Sequence, residues 1–130
     1  MRLYETHRAA AVIFLVYIAE AHPVDGWQTA SNEEEGIRLR QHETFEARCA
    51  AARLCAARLG LGIPTLVDGM DDAAAEAFSA WPERIYIVGA DGRIAFRGGP
   101  GPYEFDPDEA SAALERLLMR EGAPGRYSPR

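Results

Sequence analysis

The segment Trp81 to Gly99 reads W-P-E-R-I-Y-I-V-G-A-D-G-R-I-A-F-R-G-G and is the part of the sequence that most strongly indicates its fold. Two short runs rich in β-branched and aromatic residues, Arg84–Val88 and Arg93–Arg97, flank the turn Ala90-Asp91-Gly92. An Asp-Gly pair between two such runs is a strong signal for a tight turn between antiparallel strands. The sequence therefore predicts a β-hairpin.

The residues before the hairpin predict alternating helices and strands. Residues 2–10 have the character of the last turns of a helix, and residues 12–18 form a strand without a polar residue, which predicts burial on both faces. A helix over residues 44–59, opened by Thr44 and closed by Gly60, precedes a short strand over residues 65–67.

Capping residues predict two further helices. Asp71 and Asp72 precede an Ala-rich helix that ends near Ala80. After the hairpin, Asp106-Pro107-Asp108-Glu109 combines an N-cap, a proline at the first helical position and a capping-box glutamate. The closing helix runs to about Met119, so we expect one domain over residues 1–119 and a flexible tail over residues 120–130.

The strand over residues 12–18 leads into ionisable residues. Phe14 to Trp27 reads F-L-V-Y-I-A-E-A-H-P-V-D-G-W, and in an open α/β sheet catalytic groups collect beyond the carboxyl ends of strands. Glu20 and His22 are two residues apart, so in an extended chain the carboxylate can orient the imidazole and raise its basicity. A turn whose polar side chains bond only to nearby backbone explains the same residues, and both interpretations stay open.

Composition restricts the classes of function. The chain has 130 residues, 48% of them hydrophobic and 26% charged, which fits one packed domain. Its net charge of −6 argues against nucleic-acid binding. All 14 basic residues are arginine, which excludes lysine Schiff-base chemistry and a lysine-containing phosphate loop. No apolar run reaches the ~18 residues of a membrane helix, and we expect a cytoplasmic protein that does not bind membranes.

Cys49 and Cys55 are not predicted to form a disulfide with each other. They lie in the helix whose apolar repeat is Phe45, Cys49, Ala52, Ala56 and Leu59. Six residues along a helix span roughly 9 Å, which exceeds the ~7 Å limit between the Cα atoms of a disulfide. Two small buried residues are the simplest interpretation, although one thiol could resolve an intermediate formed on a nucleophile elsewhere.

The order of elements resembles the thioredoxin fold of the peroxiredoxin-like kind. This resemblance implies an α/β fold with a mixed sheet flanked by helices, of which the chain lacks the N-terminal strand and the nucleophile turn. In that superfamily a proline, often cis, precedes the hairpin strand and borders the active site. Pro82 occupies that place.

At closer range the chain resembles the iodothyronine deiodinase family, including its bacterial members. Four blocks carry the resemblance: Y-I-A-E-A-H-P-V-D-G-W at 17–27, Q-H at 41–42, I-P-T-L-V-D-G-M-D-D at 63–72, and P-E-R-I-Y-I-V with G-G-P-G-P from 82 to 102. Members of this family are reductive dehalogenases, in which a selenocysteine or cysteine attacks iodine on an aromatic ring. The resemblance implies an iodinated aromatic substrate and an external thiol reductant or thioredoxin-like partner, without a bound cofactor. The resemblance also makes a homodimer possible, but the residues themselves do not indicate an oligomeric state.

The resemblance also implies roles for single residues. Glu20 and His22 belong to a hydrogen-bonded network beside the nucleophile, and His42 handles a proton or the substrate phenol. Removal of iodine as I⁺ leaves a carbanion-like ring carbon, which needs a proton from an acid such as His22 or His42, with Glu20 holding an imidazolium. Trp27 offers a stacking face to the substrate, and Pro82 borders it.

In the family the nucleophile precedes the strand at residues 12–18, and neither cysteine stands at that place. We therefore expect the sequence to begin downstream of the nucleophile and this chain alone to be inactive. Two other interpretations remain open: a catalytically silent thioredoxin-like binding module, and a small metal hydrolase that uses Glu20, His22, Asp25 and His42. The second has little support, because that spacing fits no common zinc motif.

Overall fold

The computed structural model of the protein describes residues 1–20 and 41–122, which form two compact units. The first unit combines Met1–Ile13 with the chain from Glu83 onward, and the second unit is Phe14–Pro82. Both contain helices and strands, so the predicted α/β class is confirmed. Within the described residues, no helix has the length and apolar character needed to cross a membrane.

The helices and strands follow the predicted order. The first unit contains α1 (Arg2–His7), β3 (Tyr86–Val88), β4 (Ile94–Arg97) and α4 (Pro107–Glu121). The second unit contains β1 (Leu15–Tyr17), α2 (Phe45–Arg58), β2 (Thr65–Val67) and α3 (Ala73–Ala77).

In the second unit, β1 and β2 form a parallel pair with Val16 opposite Leu66. The prediction that the strand over residues 12–18 is buried on both faces is wrong, because Phe14 is 54% exposed and Val16 is 44% exposed. Within the described residues β1 pairs only with β2, so no further strand lies beside it. A polar-free strand sequence predicts an apolar environment, but burial requires a neighbour that covers the face.

Helix α2 begins and ends as predicted, and its buried face overlaps the predicted stripe at Ala52 but not at the two ends of the stripe. The Thr44 hydroxyl accepts a hydrogen bond from the Ala47 backbone N–H at 3.1 Å, which caps the first turn. The buried residues are Arg48, Ala51 and Ala52, whereas Phe45 at one end of the predicted stripe is 46% exposed. The predicted stripe followed side-chain hydrophobicity and therefore left out the buried arginine.

Of the two predicted caps of helix α3, Asp71 accepts a hydrogen bond of 3.3 Å from the Ala73 backbone N–H, whereas Asp72 does not cap through its side chain. Asp72 is the N-cap by position, but it has a left-handed backbone (φ 54°) and makes no side-chain cap bond. The Asp68 carboxylate instead accepts the backbone N–H groups of Ala74 and Ala75 at 3.0 and 2.9 Å. The helix ends at Ala77, three residues before the predicted end.

The first unit contains the predicted hairpin. Strands β3 and β4 are antiparallel, with Tyr86 opposite Arg97 and an irregularity near Val88. Gly92 has a φ of +78° in the connecting turn, which a residue without Cβ adopts without strain. The hairpin prediction from the Asp-Gly pair is confirmed.

Helix α4 supplies the apolar core of the first unit. The Asp106 carboxylate accepts the backbone N–H groups of Asp108 and Glu109, as the capping signal predicted. Its buried residues are Ala110, Leu114 and Leu117. The buried His7 of α1 also contacts this helix, with Nε2 2.6 Å from the Ser111 hydroxyl.

Candidate functional site

Two of the predicted catalytic residues, Glu20 and His42, lie together in the second unit. Glu20 follows β1 and His42 precedes α2, and the His42 Nε2 atom is 3.9 Å from the Glu20 Oε1 atom. His22 and Trp27 lie outside the described residues, so the predicted Glu20–His22 contact and the stacking role of Trp27 stay predictions.

The position of Glu20 is fixed by its neighbours on both sides. The Tyr17 hydroxyl, at the end of β1, donates a hydrogen bond to Glu20 Oε1. The Gln41 side chain exchanges two hydrogen bonds with the Glu20 backbone, each of 3.1 Å. The residue before His42 is thereby joined to the end of β1, which explains how residues 22 positions apart meet.

His42 is a buried imidazole in which Nδ1 has a hydrogen-bond partner and Nε2 has none among residues 1–20 and 41–122. It is 8% exposed, and its ring is tilted against that of Tyr17 with 5.7 Å between the ring centroids. Its Nδ1 accepts a hydrogen bond of 3.4 Å from the Arg48 Nε–H. Its Nε2 has no hydrogen-bond partner within the described part of the chain.

The surroundings of His42 favour the neutral imidazole. Burial, and secondarily the positive charge of Arg48, hold the pKa of His42 below its ordinary value of 6.5. This direction argues against the imidazolium expected beside Glu20 at neutral pH. A neutral imidazole that carries its proton on Nε2 remains a hydrogen-bond donor, able to stabilise negative charge on a bound group.

The two cysteines are free thiols and both are half-buried. The Cys55 Sγ atom lies 3.9 Å from the Tyr17 hydroxyl, on the side of the site that α2 forms. Burial, and secondarily the charge of Glu20, raise the pKa of the Cys55 thiol above its ordinary value of 9.0. The thiolate is the nucleophilic form, so this environment disfavours Cys55 as an attacking group.

Pro82 follows a cis peptide bond with Trp81, which agrees with the isomer common in the superfamily that the sequence resembles. Its predicted place beside a substrate stays a prediction. The metal interpretation gains no support, since the described residues contain no group of three or more potential ligands. His22 and Asp25, two of the four ligands considered, lie outside them.

Sequence reasoning missed three residues of the site. Arg48 is 2% exposed and touches His42, Tyr17 bonds to Glu20, and Asp68 lies 6% exposed beside Arg48 and α3. One signal was available for Arg48: it precedes the buried Ala51 and Ala52 by three and four residues, which places it on the same helical face. No comparable local signal singles out Tyr17 or Asp68.

Comparison with known proteins gives a consistent result over almost the whole chain. A family model described as iodothyronine deiodinase matches residues 1–118. The type II iodothyronine deiodinases of Rattus norvegicus and Homo sapiens are each 35% identical over 121 residues, or 92% of this chain. That of Gallus gallus is 34% identical over 125 residues, or 95% of this chain.

These alignments cover only 44–45% of each relative, so the chain spans less than half the length of the relatives it matches. The relatives are vertebrate proteins, and they give no support to the expected kinship with bacterial members in particular.

Proposed function

Because this chain belongs to the iodothyronine deiodinase family, we propose that its second unit forms the supporting half of a reductive dehalogenation site for an iodinated aromatic. The other half is a cysteine or selenocysteine nucleophile, for which neither Cys49 nor Cys55 stands at the expected place. Activity belongs to a protein in which both halves are present.

The proposed reaction exchanges iodine for hydrogen on the ring. The thiolate or selenolate attacks iodine, the C–I bond breaks, and an S–I or Se–I bond forms while the ring carbon keeps the electron pair and takes a proton. Two molecules of a thiol reductant then convert the S–I or Se–I group back to the free thiol or selenol, releasing iodide and a disulfide. An external thiol or a thioredoxin-like protein serves as that reductant.

The observation that carries the proposal is the buried His42 Nε2 atom, which is without a partner in the described residues. A buried polar group normally has a hydrogen-bond partner, and one without it is suited to receive a ligand atom. The phenol oxygen of an iodinated aromatic is an acceptor of the required kind. As negative charge develops on the ring during loss of iodine, a hydrogen bond from Nε2 to this oxygen strengthens and lowers the barrier.

Glu20 and Tyr17 support this role of His42 and lie on the same side of the imidazole as its Nε2 atom. Their hydrogen bond keeps the Glu20 carboxylate near Nε2, at the edge of the space that the substrate oxygen would enter. His22 then remains the proposed acid that protonates the ring carbon, with Trp27 and Pro82 as proposed contacts of the ring.

A thioredoxin-like arrangement is part of the same proposal. The parallel β1–β2 pair with α2 in the connection between its strands, and the β3–β4 hairpin followed by a helix, are components that such a sheet requires. An experimental structure of the chain extended at its N-terminus tests this arrangement. A further strand paired with β1 on the edge opposite β2 supports it, and pairing of β1 with β2 alone in that protein contradicts it.

Iodide release provides the test of function. The chain extended at its N-terminus, with cysteine at the position the family resemblance assigns to the nucleophile, is assayed with thyroxine and dithiothreitol. We expect His42→Phe, which keeps a ring but removes the donor, to lower kcat/KM roughly 100-fold. The matched control is His7→Phe, a change of the buried histidine in the first unit, assayed on folded protein. Equal activity of His42→Phe and the extended parent contradicts the proposal.

A silent binding module is the second candidate, because both cysteines are half-buried free thiols and neither stands at the place that the family resemblance assigns to the nucleophile. This candidate predicts binding of 4-iodophenol by the chain without iodide release, and no release after the N-terminal extension. Iodide release by the extended chain excludes it.

A further inference from the structure

Arg48 is placed to control the protonation of His42. It is a buried residue of α2, and its guanidinium is held by the loop that follows β2. Its Nη1 donates to the Asp68 and Gly69 carbonyl oxygens at 3.3 and 2.6 Å and to the Asp72 carboxylate at 2.9 Å. This anchorage leaves Nε, on the edge of the same planar group, directed at His42.

The contact between Arg48 and His42 has only one consistent arrangement of protons. A guanidinium group has donors and no acceptor, so the Nδ1 atom that faces Arg48 Nε must offer its lone pair. In a neutral imidazole the single proton is then on Nε2. Addition of a second proton to Nδ1 would break this hydrogen bond and place two positive charges in contact.

We propose that Arg48 is a positioning residue that holds His42 in the tautomer with its proton on Nε2 and thereby presents that proton to the oxygen of a bound aromatic. The identity of the acceptor rests on the function proposed above, whereas the tautomer does not. Without Arg48, either ring nitrogen can carry the proton, and the site loses a donor in the fraction of molecules that carry it on Nδ1.

The other groups around the imidazole do not provide this control. Glu20 and Tyr17 approach from the end of β1, but the Glu20 carboxylate is 3.9 Å from Nε2 and Tyr17 contacts the ring through its own ring. The carboxylates near α3 have other partners: Asp72 pairs with Arg48 Nη1 at 2.9 Å, and Asp68 accepts the N–H groups of Ala74 and Ala75.

Lysine cannot substitute for Arg48 in this arrangement. The guanidinium uses separate nitrogen atoms, in a fixed plane, for the loop and for His42. A lysine ammonium has all three donors on one atom at the end of a flexible chain. It can preserve the charge, but it cannot keep both sets of contacts in this geometry.

The test reads the tautomer directly by NMR of the whole chain labelled with ¹⁵N-histidine. Signals of His42 are assigned with the variant His42→Phe. In the parent chain we expect, at neutral pH, an unprotonated Nδ1 and a protonated Nε2. A protonated Nδ1 in the parent overturns the proposal without the need for any variant.

Three variants distinguish the proposed control of the His42 tautomer by Arg48 from a purely structural role of Arg48. Arg48→Met removes charge and donor, and we expect a mixture of tautomers with a higher midpoint for the His42 titration. Arg48→Lys should also give mixed tautomers, with the midpoint closer to that of the parent. Asp72→Asn weakens the anchorage of Arg48 but leaves its Nε, so stability falls while the tautomer is kept.

An unchanged tautomer and midpoint in folded Arg48→Met overturn the proposal. Addition of 4-iodophenol then distinguishes the two levels of inference. A shift of the Nε2 signal of the parent on binding supports presentation of the proton to a phenol oxygen. Binding of 4-iodophenol without a shift of the Nε2 signal overturns the presentation of the proton to a phenol oxygen, even where Arg48 is found to control the tautomer.

Discussion

The two units of this protein differ in what they bury. The most buried side chains of the first unit are apolar residues of α4, Ala110, Leu114 and Leu117, with one histidine beside them. Those of the second unit are two alanines and three ionisable residues, His42, Arg48 and Asp68.

The three buried ionisable residues mark the second unit as the functional part of the described chain. Burial of leucine stabilises a fold through its area alone, whereas burial of a charge is costly unless partners compensate. Burial of these three ionisable residues therefore costs free energy, and ionisable groups with shifted pKa values are frequent at functional sites.

Leu114→Ala tests the apolar character of the first unit. Removing a buried leucine side chain leaves a cavity, and we expect a loss of about 3 kcal/mol in the free energy of unfolding. Urea denaturation measures it, with Met119→Ala as control, since Met119 on the same helix is 83% exposed. Similar losses for both variants would show that α4 is not the core of this unit.

Asp68→Asn tests the polar core of the second unit. The carboxylate uses its two oxygens for the Ala74 and Ala75 N–H groups, and an amide offers only one acceptor, so we expect a loss of about 2 kcal/mol. The control is Asp71→Asn, whose exposed carboxylate accepts one long bond of 3.3 Å from Ala73. A loss no greater than that of the control means that Asp68 does not cap α3.

The stability of the protein should depend on pH in two ranges. The pKa of His42 is lowered in the folded protein, so below 6.5 the unfolded chain takes up a proton first, and stability falls until the folded pKa is passed. Burial acts to raise the pKa of Asp68, but the N–H groups of Ala75, Ala74 and Gly69, together with Arg48, lower it overall. Stability is therefore lost again below 3.8, as pH falls through the folded pKa of Asp68.

Denaturation midpoints measured between pH 8 and pH 3 check both ranges. In His42→Phe the upper range should become flat while the lower range remains. A parent chain whose stability does not change between pH 7 and the onset of the lower range would contradict the buried neutral state of His42.

The smallest effect concerns the Cys55 thiol. Burial is the main reason for its raised pKa and Glu20 the second, so Glu20→Gln should increase, without fully normalising, the rate of alkylation by iodoacetamide at pH 8. Mass spectrometry separates Cys55 from Cys49, which serves as the internal control. An equal increase at both cysteines would indicate general loosening of α2 in place of a charge effect.

Much of the fold follows from local signals that the sequence displays. Three such signals act between residues that are close in the sequence, so the structure they form can be predicted from the sequence alone. They are the Asp-Gly turn of the hairpin, the Thr44 cap of α2 and the Asp106-Pro107 start of α4. The predictions that were wrong concern burial, as for Val16 and for Phe45 and Leu59 at the ends of the α2 stripe, because burial depends on what other segments cover.

The site was predictable to a lesser degree. The family resemblance selected Glu20 and His42, and the structure brings them together, although their catalytic roles stay predictions. It did not select Arg48, since an arginine in an Ala-rich helix has the sequence character of a solvent-exposed residue.

The order and type of the elements, and the family to which they belong, can be read from the sequence, because capping, turn formation and motif spacing are local properties. The burial of Arg48 against His42 and the lowered pKa of that imidazole are properties of the folded chain. Those properties depend on desolvation and on contacts of a few ångströms between α2, the loop after β2 and the end of β1. No spacing along the chain encodes them.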